Sequence, residues 1–440
     1  MSKRRQILVF PLILVAVAGC QESPLSPDAQ VPEPGVLFAK GGIHGPPRGF
    51  VFPHPIGPPP RVPVLLPKTA GPPSFLADMI DIGAGNDYSC ALRSDGAAFC
   101  WGANGSGQLG DGTLNSSVVP VAVLSPVPFD RIEVGDLHAC GITAAGEAYC
   151  WGSNGLGRLG DGTSVPFSRV PVPVTGGLRF LDLDAGLAAT CGIATDGNTY
   201  CWGWRFISGP AQGTSVPVAV PNSGALGFAS VTVGFIHACA LDAGGNPFCW
   251  GSSTLFGNGV TGPVVPTPTP AANGATFSRI EAGTFYTCAL DAGGAASCWG
   301  DPNLVVSGEM GNGLKVGDLN PTPVLGGISF ASIGTYDNNW WSPTTCGITS
   351  ANATWCWGSN EYGQLGAPST ETCAFYWAYD CSTTPVAVGG GHAFSRIAIG
   401  VYHTCATEVD GSVWCWGRNQ MGQLGDGTMA DSPVPVEVQF

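Results

Sequence analysis

The segment Cys90–Gly102, CALRSDGAAFCWG, contains two cysteines ten positions apart around a central Asp-Gly and ends in Trp-Gly. Six more segments of this form begin downstream, at Cys140, Cys191, Cys239, Cys288, Cys346 and Cys405. The sixth residue after the first cysteine is glycine in every copy except one, where it is Asn352. A three-residue hairpin loop requires positive φ at its last position, which glycine adopts freely and asparagine tolerates. Each segment is therefore predicted to be a β-hairpin.

The predicted loop also fixes which residues face each other across the hairpin. With Ser94–Gly96 as the loop, Arg93 pairs with Ala97, and counting outward places Cys90 opposite Cys100. At a non-hydrogen-bonded antiparallel site the Cα atoms lie roughly 4.5 Å apart, within reach of a disulfide. The predicted disulfides are Cys90–Cys100, Cys140–Cys150, Cys191–Cys201, Cys239–Cys249, Cys288–Cys298, Cys346–Cys356 and Cys405–Cys415. Each disulfide closes a short loop and is expected to stabilise the fold by roughly 2–3 kcal/mol, because it lowers the entropy of the unfolded chain. We therefore interpret the seven disulfides as structural.

The other three of the 17 cysteines are Cys20 and the close pair Cys373 and Cys381. Once Cys20 is set aside, every cysteine has a partner nearby in the sequence. Such an even, paired set indicates disulfides in an exported chain, so Cys373 and Cys381 are predicted to form an eighth bridge.

Residues 1–19 have a basic start, a short apolar run and a small-residue end, which is typical of a secretory signal peptide. The apolar run is too short to cross a membrane as a stable helix. The ending Val-Ala-Gly-Cys resembles the lipobox of bacterial lipoproteins, which implies that Cys20 is the lipidated first residue of the mature chain. An ordinary signal peptide with an incidental Cys20 is the alternative. Gln21, rather than Asp, implies the outer membrane if the cell is Gram-negative.

The chain is expected to have three parts: the signal peptide at 1–19, a tether at 20–73 and a repeat domain at 74–440. Residues 21–73 hold fifteen of the 38 prolines, which favours a solvated, semi-stiff tether. Weak β structure near Val62–Leu66 is the alternative, because these residues resemble the later Pro-Val strands. Since Val434–Val438 is similar, either terminus is a candidate to complete a shared blade.

Each repeat begins with an alternating apolar strand such as Phe129–Ile132, followed by a glycine turn and the cysteine hairpin. A Gly-rich loop and a Pro-Val strand such as Val119–Val123 complete the unit. Four short strands per copy are typical of one propeller blade, so we predict an all-β, seven-bladed β-propeller of four-stranded antiparallel blades. The turn before the first cysteine and the loop after Trp-Gly lie on one edge, named here the loop rim. The Asp-Gly turns lie on the opposite edge, the hairpin rim.

The run from Phe129, FDRIEVGDLHACGITAAGEAYCWGSNGLGRLGDGT, resembles the regulator of chromosome condensation repeat. That pattern contains a Gly-x-x-His turn, Trp-Gly and a Gly-Gln-Leu-Gly loop, the last of which occurs here at 107–110, 363–366 and 422–425. The resemblance covers roughly residues 75–440 and implies a seven-bladed propeller. Family members include a nucleotide-exchange factor for a small GTPase and secreted bacterial inhibitors, so function does not follow from fold. Export and acidity argue against an intracellular GTPase partner.

The formal net charge is −14, and removal of the basic residues 1–19 lowers it to −17, which disfavours nucleic acid as a partner. His138, His237 and His403 precede three first cysteines by two positions, but Tyr88 and Ala189 stand at equivalent places. We therefore interpret them as structural rather than as zinc ligands. The Asp-Gly-Thr loops offer one carboxylate each, at Asp111, Asp161 and Asp426, too few for calcium. No cofactor is expected, and the chain contains no nucleophile motif.

Repeat six carries two insertions, GTYDNNWWSPTTC before Cys346 and a longer segment containing CAFYWAYDC after Cys356. Both are expected on the loop rim of one blade. The candidate binding residues are Tyr336, Trp340, Trp341, Phe375, Tyr376, Trp377 and Tyr379. Rigid exposed rings are typical of protein interfaces, although these rings packing back over blade six is the alternative. We predict a monomeric, non-enzymatic propeller, held to the cell envelope only by its lipid, that binds a protein partner. A glycan or peptidoglycan ligand, or a cell-envelope hydrolase with a hidden carboxylate pair, are the alternatives.

Overall fold

The computed structural model describes residues 78–204, 213–336, 343–369, 371–374 and 377–440. Within these ranges the strands form seven antiparallel sheets, each made from consecutive strands of the chain. Blade 1 contains β1 (Met79–Ala84), β2 (Tyr88–Arg93), β3 (Ala98–Gly102) and β4 (Ser117–Ala122). Blade 2 contains β5 (Arg131–Val134), β6 (His138–Ile142), β7 (Ala148–Ser153) and β8 (Phe167–Pro173). Blade 3 contains β9 (Phe180–Ala185), β10 (Ala189–Ala194), β11 (Thr199–Gly203) and β12 (Thr214–Ala219).

Blades 4 to 7 continue the same order. They are β13 (Phe228–Val233), β14 (His237–Asp242), β15 (Pro247–Ser252), β16 (Val264–Pro270); β17 (Arg279–Ala282), β18 (Tyr286–Leu290), β19 (Ala296–Gly300), β20 (Thr322–Pro323); β21 (Phe330–Thr335), β22 (Thr344–Thr349), β23 (Thr354–Ser359), β24 (Glu371–Ala374), β25 (Ala378–Ala387); β26 (Phe394–Ile399), β27 (His403–Glu408), β28 (Val413–Gly417), β29 (Ser432–Glu437). The described ranges contain one short α-helix, α1 (Ser223–Leu226), and three 3₁₀ turns at Gly155–Gly157, Ser253–Leu255 and Ala272–Gly274. None of these helices has the length and apolar character to span a membrane.

The hairpin of each blade has the predicted register. Arg93 donates its backbone N–H to Ala97 O at 2.9 Å, and Gly96 donates to Arg93 O at 2.9 Å. The loop glycine Gly96 has φ 85°, and Asn352 takes its place in blade 6 with φ 63°. The seven repeat cysteine pairs face each other directly, with Cα–Cα distances of 4.0–4.1 Å. The eighth predicted bridge, Cys373–Cys381, also forms.

The blades are arranged around an axis that is lined by the first strand of each sheet. These strands contact one another in sequence, from β1 through β5, β9, β13, β17 and β21 to β26, and β26 contacts β1 again. The described residues contain no shared blade, because blades 1 and 7 each consist of four consecutive strands. Val434–Val438 therefore falls largely in β29 of blade 7, and residues 62–66 lie outside the described ranges. Both side chains and backbone join blade 7 to blade 1: Trp101 Nε1 donates to Gln423 O at 2.9 Å, and Gly427 N–H donates to Val118 O at 3.0 Å.

The cores lie between blades, and the repeat tryptophans belong to them. All seven are fully buried: Trp101, Trp151, Trp202, Trp250, Trp299, Trp357 and Trp416. Trp151, for example, joins a cluster with Cys90 and Leu109 of the preceding blade and stacks on Phe129 at 5.7 Å. Its Nε1 donates to Gln108 O at 3.0 Å, so one side chain both fills the interface and bonds across it.

The outer edge of the ring is formed by the last strands, and proline limits their free hydrogen-bonding groups. Six blades end in an outer strand that contains proline, at Pro120, Pro171, Pro217, Pro266, Pro323 and Pro433. A proline at an edge removes a donor that would otherwise pair with another chain. Blade 6 differs, because β24 pairs outside β25 and contains no proline.

Candidate functional site

The three Gly-x-x-His histidines lie in separate blade interfaces, where each bonds to the next blade. His138 Nε2 is 2.9 Å from Thr190 Oγ1, His237 Nε2 is 2.8 Å from Thr287 Oγ1, and His403 Nε2 is 2.7 Å from Ser89 Oγ. Burial lowers the pKa of all three rings, to about 3 for His237 and His403. Within the described ranges no three His, Cys, Asp or Glu side chains are arranged to hold a metal ion.

The Asp-Gly-Thr carboxylates are used inside their own loops. Asp111 Oδ1 accepts the Thr113 N–H at 2.9 Å and the Asn104 amide at 3.1 Å. The same two bonds recur at Asp161 and Asp426. These contacts confirm that the residues form the turn.

Several carboxylates on the first strands bond to the neighbouring blade near the axis. Asp182 Oδ2 accepts the Val231 N–H at 3.0 Å, and Asp184 accepts the Val233 N–H at 2.6 Å. Glu133 and Glu281 stand on equivalent strands, and burial raises the pKa of both, to about 8 for Glu281. Two of these carboxylates, Asp182 and Asp184, therefore join the first strand of blade 3 to that of blade 4 through hydrogen bonds to its backbone.

Tyr336, which we expected on an exposed surface, is only 4% exposed. It packs in one cluster with Ile399 and Val401 of blade 7. Blade 6 has Thr344 where five of the other blades have a bonding His or Tyr, and Thr344 Oγ1 donates to Ser359 O inside its own blade. Tyr336 thus fills the interface that the missing ring leaves, which explains its burial.

Tyr379 is a second correction, since it is 7% exposed. Its hydroxyl lies 2.6 Å from Ser307 Oγ of blade 5, and burial raises its pKa to about 12. It forms a small cluster with Cys373 and Cys381 beneath the added hairpin. For these two tyrosines, packing against the blade is the alternative that the structure supports. Trp340, Trp341, Phe375 and Tyr376 lie outside the described residues.

Trp377 differs from the seven repeat tryptophans because it is 48% exposed. It immediately precedes β25, on the hairpin that Cys373–Cys381 clips. Its indole Nε1 donates to Glu361 Oε1 at 3.3 Å, which connects the hairpin to the loop after β23.

A cavity of about 430 Å³ lies beside this loop, between the loop-rim segments of blades 6 and 7; we name it the blade 6–7 cleft. Its polar lining residues are Asn360, Glu361, Tyr362, Ser369, Asp380 and Asp431. Partial burial raises the pKa of the Glu361 carboxyl, against the hydrogen bond from Trp377 and the charge of Arg418.

Arg418 stands next to this cleft and interacts with two aromatic rings. Its guanidinium carbon lies 5.4 Å from the Tyr362 ring centre and 5.1 Å from that of Tyr402. The same guanidinium is 3.5 Å from Asp87 of blade 1, so its charge is paired.

The sequence reasoning missed Glu361, Tyr362, Asp380 and Asp431, because three separate segments supply them. The sequence did contain one feature that points to this cleft. Blade 6 reads Asn-Glu-Tyr-Gly-Gln-Leu-Gly where blade 1 reads Asn-Gly-Ser-Gly-Gln-Leu-Gly, so two larger side chains replace small ones on the loop rim.

Seven consecutive blades around an axis define the class of this protein as a seven-bladed β-propeller. The repeats match the Regulator of chromosome condensation (RCC1) repeat at residues 79–108, 129–158 and 394–423, and a second model of the same repeat matches 95–142, 352–407 and 410–440. The matched segments, which lie in blades 1, 2, 6 and 7, are therefore regulator of chromosome condensation repeats, and this confirms the resemblance seen in their motifs.

Parts of the chain are similar to larger proteins. It is 34% identical over 92 residues to the probable E3 ubiquitin-protein ligase HERC4 of Mus musculus, which is 20% of this chain and 8% of that protein. It is 35% identical over 94 residues to Protein RCC2 of Homo sapiens, covering 21% and 17%. It is 35% identical over 83 residues to the ultraviolet-B receptor UVR8 of Arabidopsis thaliana, covering 19% and 17%. The chain thus matches less than a fifth of the length of each relative.

Solved structures share the fold over most of the chain. Prp20p of Saccharomyces cerevisiae has a TM-score of 0.67 at 18% identity, covering 83% of this chain and 88% of that one. Human WBSCR16 has a TM-score of 0.65 at 16% identity, covering 79% and 94%.

Proposed function

We propose that this chain is a non-enzymatic propeller, anchored by a lipid at Cys20, that binds a protein partner on the loop rim of blade 6. The observation that carries the proposal is Trp377, an indole 48% exposed on a disulfide-clipped hairpin. Interface hot spots are enriched in tryptophan, since its burial removes a large apolar area from water.

The hairpin that carries Trp377 is held in place by several contacts. The Cys373–Cys381 bridge, the buried Tyr379 and the Trp377–Glu361 hydrogen bond all restrain it. Lys315 Nζ of blade 5 donates to Thr372 O at 2.6 Å, which attaches β24 to the neighbouring blade. A side chain restrained before binding loses less entropy when it meets a partner.

Proteins of similar fold support a binding role. One structure reports the binding properties of Prp20p to Gsp1p and histones, and another contains Kap60 bound to yeast RCC1. Those partners belong to those proteins. For this chain they support only the general proposal that a propeller of this type binds a protein.

The binding surface is tested by photocrosslinking at position 377. In the intact lipidated protein, p-benzoyl-phenylalanine replaces Trp377, and we expect it to crosslink to one protein. Excess unlabelled wild type should abolish this crosslink by competition, whereas excess Trp377→Ala should not. The matched control places the same group at Val409, which is 66% exposed on the hairpin rim. Equal crosslinking at both positions, or competition by Trp377→Ala, contradicts the proposal.

The anchor is tested separately. We expect wild type to incorporate radiolabelled palmitate and to fractionate with membranes, whereas Cys20→Ser does neither. Unchanged membrane association of Cys20→Ser contradicts the proposed lipid anchor and leaves the binding surface unaffected.

A glycan is the second candidate ligand, because the exposed indole of Trp377 is hydrogen-bonded to Glu361, one of the carboxylates that line the cleft. A glycan and peptidoglycan array probed with wild type and Trp377→Ala distinguishes the two. Saturable binding of one sugar, lost in Trp377→Ala, favours the glycan.

A further inference from the structure

We propose that the propeller ring opens between blades 6 and 7 rather than between blades 7 and 1, where the two ends of the propeller meet. This opening is a property of the fold itself, independent of the partner and of the lipid anchor. It follows from the hydrogen bonds that cross the two junctions, compared position by position.

The repeat tryptophans make the same hydrogen bond at both junctions. Trp416 Nε1 of blade 7 donates to Gln364 O of blade 6 at 2.9 Å. Trp101 Nε1 of blade 1 donates to Gln423 O of blade 7, also at 2.9 Å. Both indoles are fully buried. The two junctions therefore share this contact, and they differ in what is added to it.

The histidine position adds a buried contact at junction 7–1. Ser89 Oγ of blade 1 lies 2.7 Å from His403 Nε2 of blade 7. The counterpart of Ser89 in blade 7 is Thr404, but blade 6 has Thr344 at the histidine position. Thr344 Oγ1 donates to Ser359 O of its own blade at 3.2 Å. This contact of junction 7–1 therefore has no counterpart in the described part of junction 6–7.

A loop glycine adds a backbone bond at junction 7–1 that proline prevents at junction 6–7. Gly427 N–H of blade 7 donates to Val118 O on the outer strand of blade 1 at 3.0 Å. The same bond joins blades 1 and 2, from Gly112 N–H to Arg169 O at 2.9 Å. Blade 6 reads Gly-Ala-Pro where these loops read Gly-Asp-Gly. Pro368, in place of the second glycine, has no N–H to donate.

The acceptor that corresponds to this missing donor is Pro433 O of β29. Pro433 follows Ser432, which pairs with the Trp-Gly glycine of its blade, as Ser117 does before Val118. The described residues supply no hydrogen bond to Pro433 O. Pro368 and Pro433 both line the blade 6–7 cleft, so this cleft lies where the two blades are not joined by the loop bond.

Charged and amide side chains add a third difference. Gln423 Nε2 of blade 7 donates to Asp87 of blade 1 at 2.7 Å, and Arg418 lies 3.5 Å from the same carboxylate. Arg396 of blade 7 pairs with Asp81 of blade 1 at 3.4 Å. In the described part of the chain no ion pair links blade 6 to blade 7.

The contacts between blades 6 and 7 are mainly contacts of rings and apolar groups. Tyr336 packs with Val401, the Tyr362 ring lies 5.0 Å from the Tyr402 ring, and Arg418 lies over Tyr362. Such packing is not directional, whereas hydrogen bonds weaken steeply when their geometry changes. Among the described residues, separating blades 6 and 7 breaks fewer hydrogen bonds than separating blades 7 and 1. Local opening occurs where the least has to be broken.

The two buried indoles provide the test, because each donates across one of the two junctions. NMR of the full chain, ¹⁵N-labelled at its tryptophans, measures how fast each indole N–H exchanges with deuterated water. We expect the Trp416 indole to exchange at least about tenfold faster than the Trp101 indole, because its junction opens at lower cost. Exchange of Trp416 at the same rate as Trp101, or more slowly, overturns the proposed opening.

A first variant gives blade 6 the missing donor. Ala367→Asp/Pro368→Gly restores the Gly-Asp-Gly loop. We expect it to slow exchange of the Trp416 indole about threefold or more and to leave the Trp101 indole unchanged. Circular dichroism verifies that the variant is folded. An unchanged Trp416 rate in the folded variant shows that the loop bond does not control this junction and contradicts the proposal.

A second variant weakens the other junction and serves as the matched control. Ser89→Ala removes the contact with His403 and is expected to speed exchange of the Trp101 indole about threefold or more. The Trp416 indole should keep its rate, because Ser89 does not lie in its junction. If Ser89→Ala speeds both indoles equally, exchange reports unfolding of the whole ring, and the proposed opening between blades 6 and 7 is wrong.

Discussion

Blades 1 and 6 share one frame and differ in what is built on it. In both, the repeat cysteines face each other with Cα atoms 4.0 Å apart, and a buried tryptophan donates to a carbonyl of the preceding blade. Blade 6 adds β24, a second disulfide and the exposed Trp377. The shared parts lie in the interfaces that hold the ring, whereas the added hairpin extends the outer edge of blade 6 and exposes Trp377. The comparison suggests that stability and recognition are separable in this molecule.

The largest expected effect separates two tryptophans of blade 6. Trp357 is fully buried and bonds to Glu309 O at 2.9 Å, so Trp357→Ala should lower the free energy of unfolding by about 3–5 kcal/mol. Trp377→Ala should change it by no more than about 0.5 kcal/mol, because half of the ring is already in water. Urea unfolding of both variants measures this. A similar loss of unfolding free energy in the two variants would contradict the distinction between the shared blade frame and the added hairpin.

The next effect compares the two disulfides of blade 6. Replacing Cys346 and Cys356 with alanine should cost about 2–3 kcal/mol of global stability, since the bridge closes a short loop in the frame. Replacing Cys373 and Cys381 should mainly expose the added hairpin to protease, because β24 pairs only with β25 and can open locally. Thermal unfolding and limited proteolysis measure the two effects. A larger fall in global stability for the second pair would contradict the comparison.

A pH dependence sharpens the contrast between interfaces. The folded pKa of His237 is about 3, whereas an unfolded histidine titrates near 6.5. Below about pH 6.5 only the unfolded chain takes up this proton. The stabilisation that neutral His237 gives the folded state is therefore fully present above about pH 6.5 and is lost as the pH falls toward the folded pKa. His237→Gln should reduce the slope of unfolding free energy by about 1.4 kcal/mol per pH unit between about pH 6 and 4. Urea unfolding across that range measures it, with Thr344→Ser of blade 6 as the non-titrating control; an unchanged slope contradicts the assignment.

The smallest effect concerns the hairpin loops. Asn352 occupies with φ 63° the position where Gly96 has φ 85°. Asn352→Gly should relieve the left-handed conformation and change the free energy of unfolding by less than about 1 kcal/mol, as a gain. A loss greater than that, measured by urea unfolding, would show that the asparagine side chain supports blade 6 in some other way.

The frame was predictable because it rests on local rules that recur seven times. Loop length and Gly96 set the register, and the register placed Cys90 opposite Cys100, as observed. Each rule needs only residues that are close in the sequence.

The candidate site was predictable only in part. Spacing predicted both insertions on one rim, but it did not show that Tyr336 packs on Val401 or that Tyr379 bonds to Ser307. Those contacts join residues of neighbouring blades, and no local pattern encodes them. The cleft carboxylates were missed for the same reason, since Asp380 and Asp431 come together only after blades 6 and 7 have packed.

The coincidence of each blade with one sequence repeat has a consequence for how such rings change over evolutionary time. The unit that is copied when DNA duplicates is here a complete sheet, because the described strands include none that is exchanged between the first and last blades. Gain or loss of one unit would alter the circumference without forcing any strand to find a new partner. A change confined to one copy, such as the added strand and second disulfide of blade 6, leaves the strand order of the other six sheets as it was.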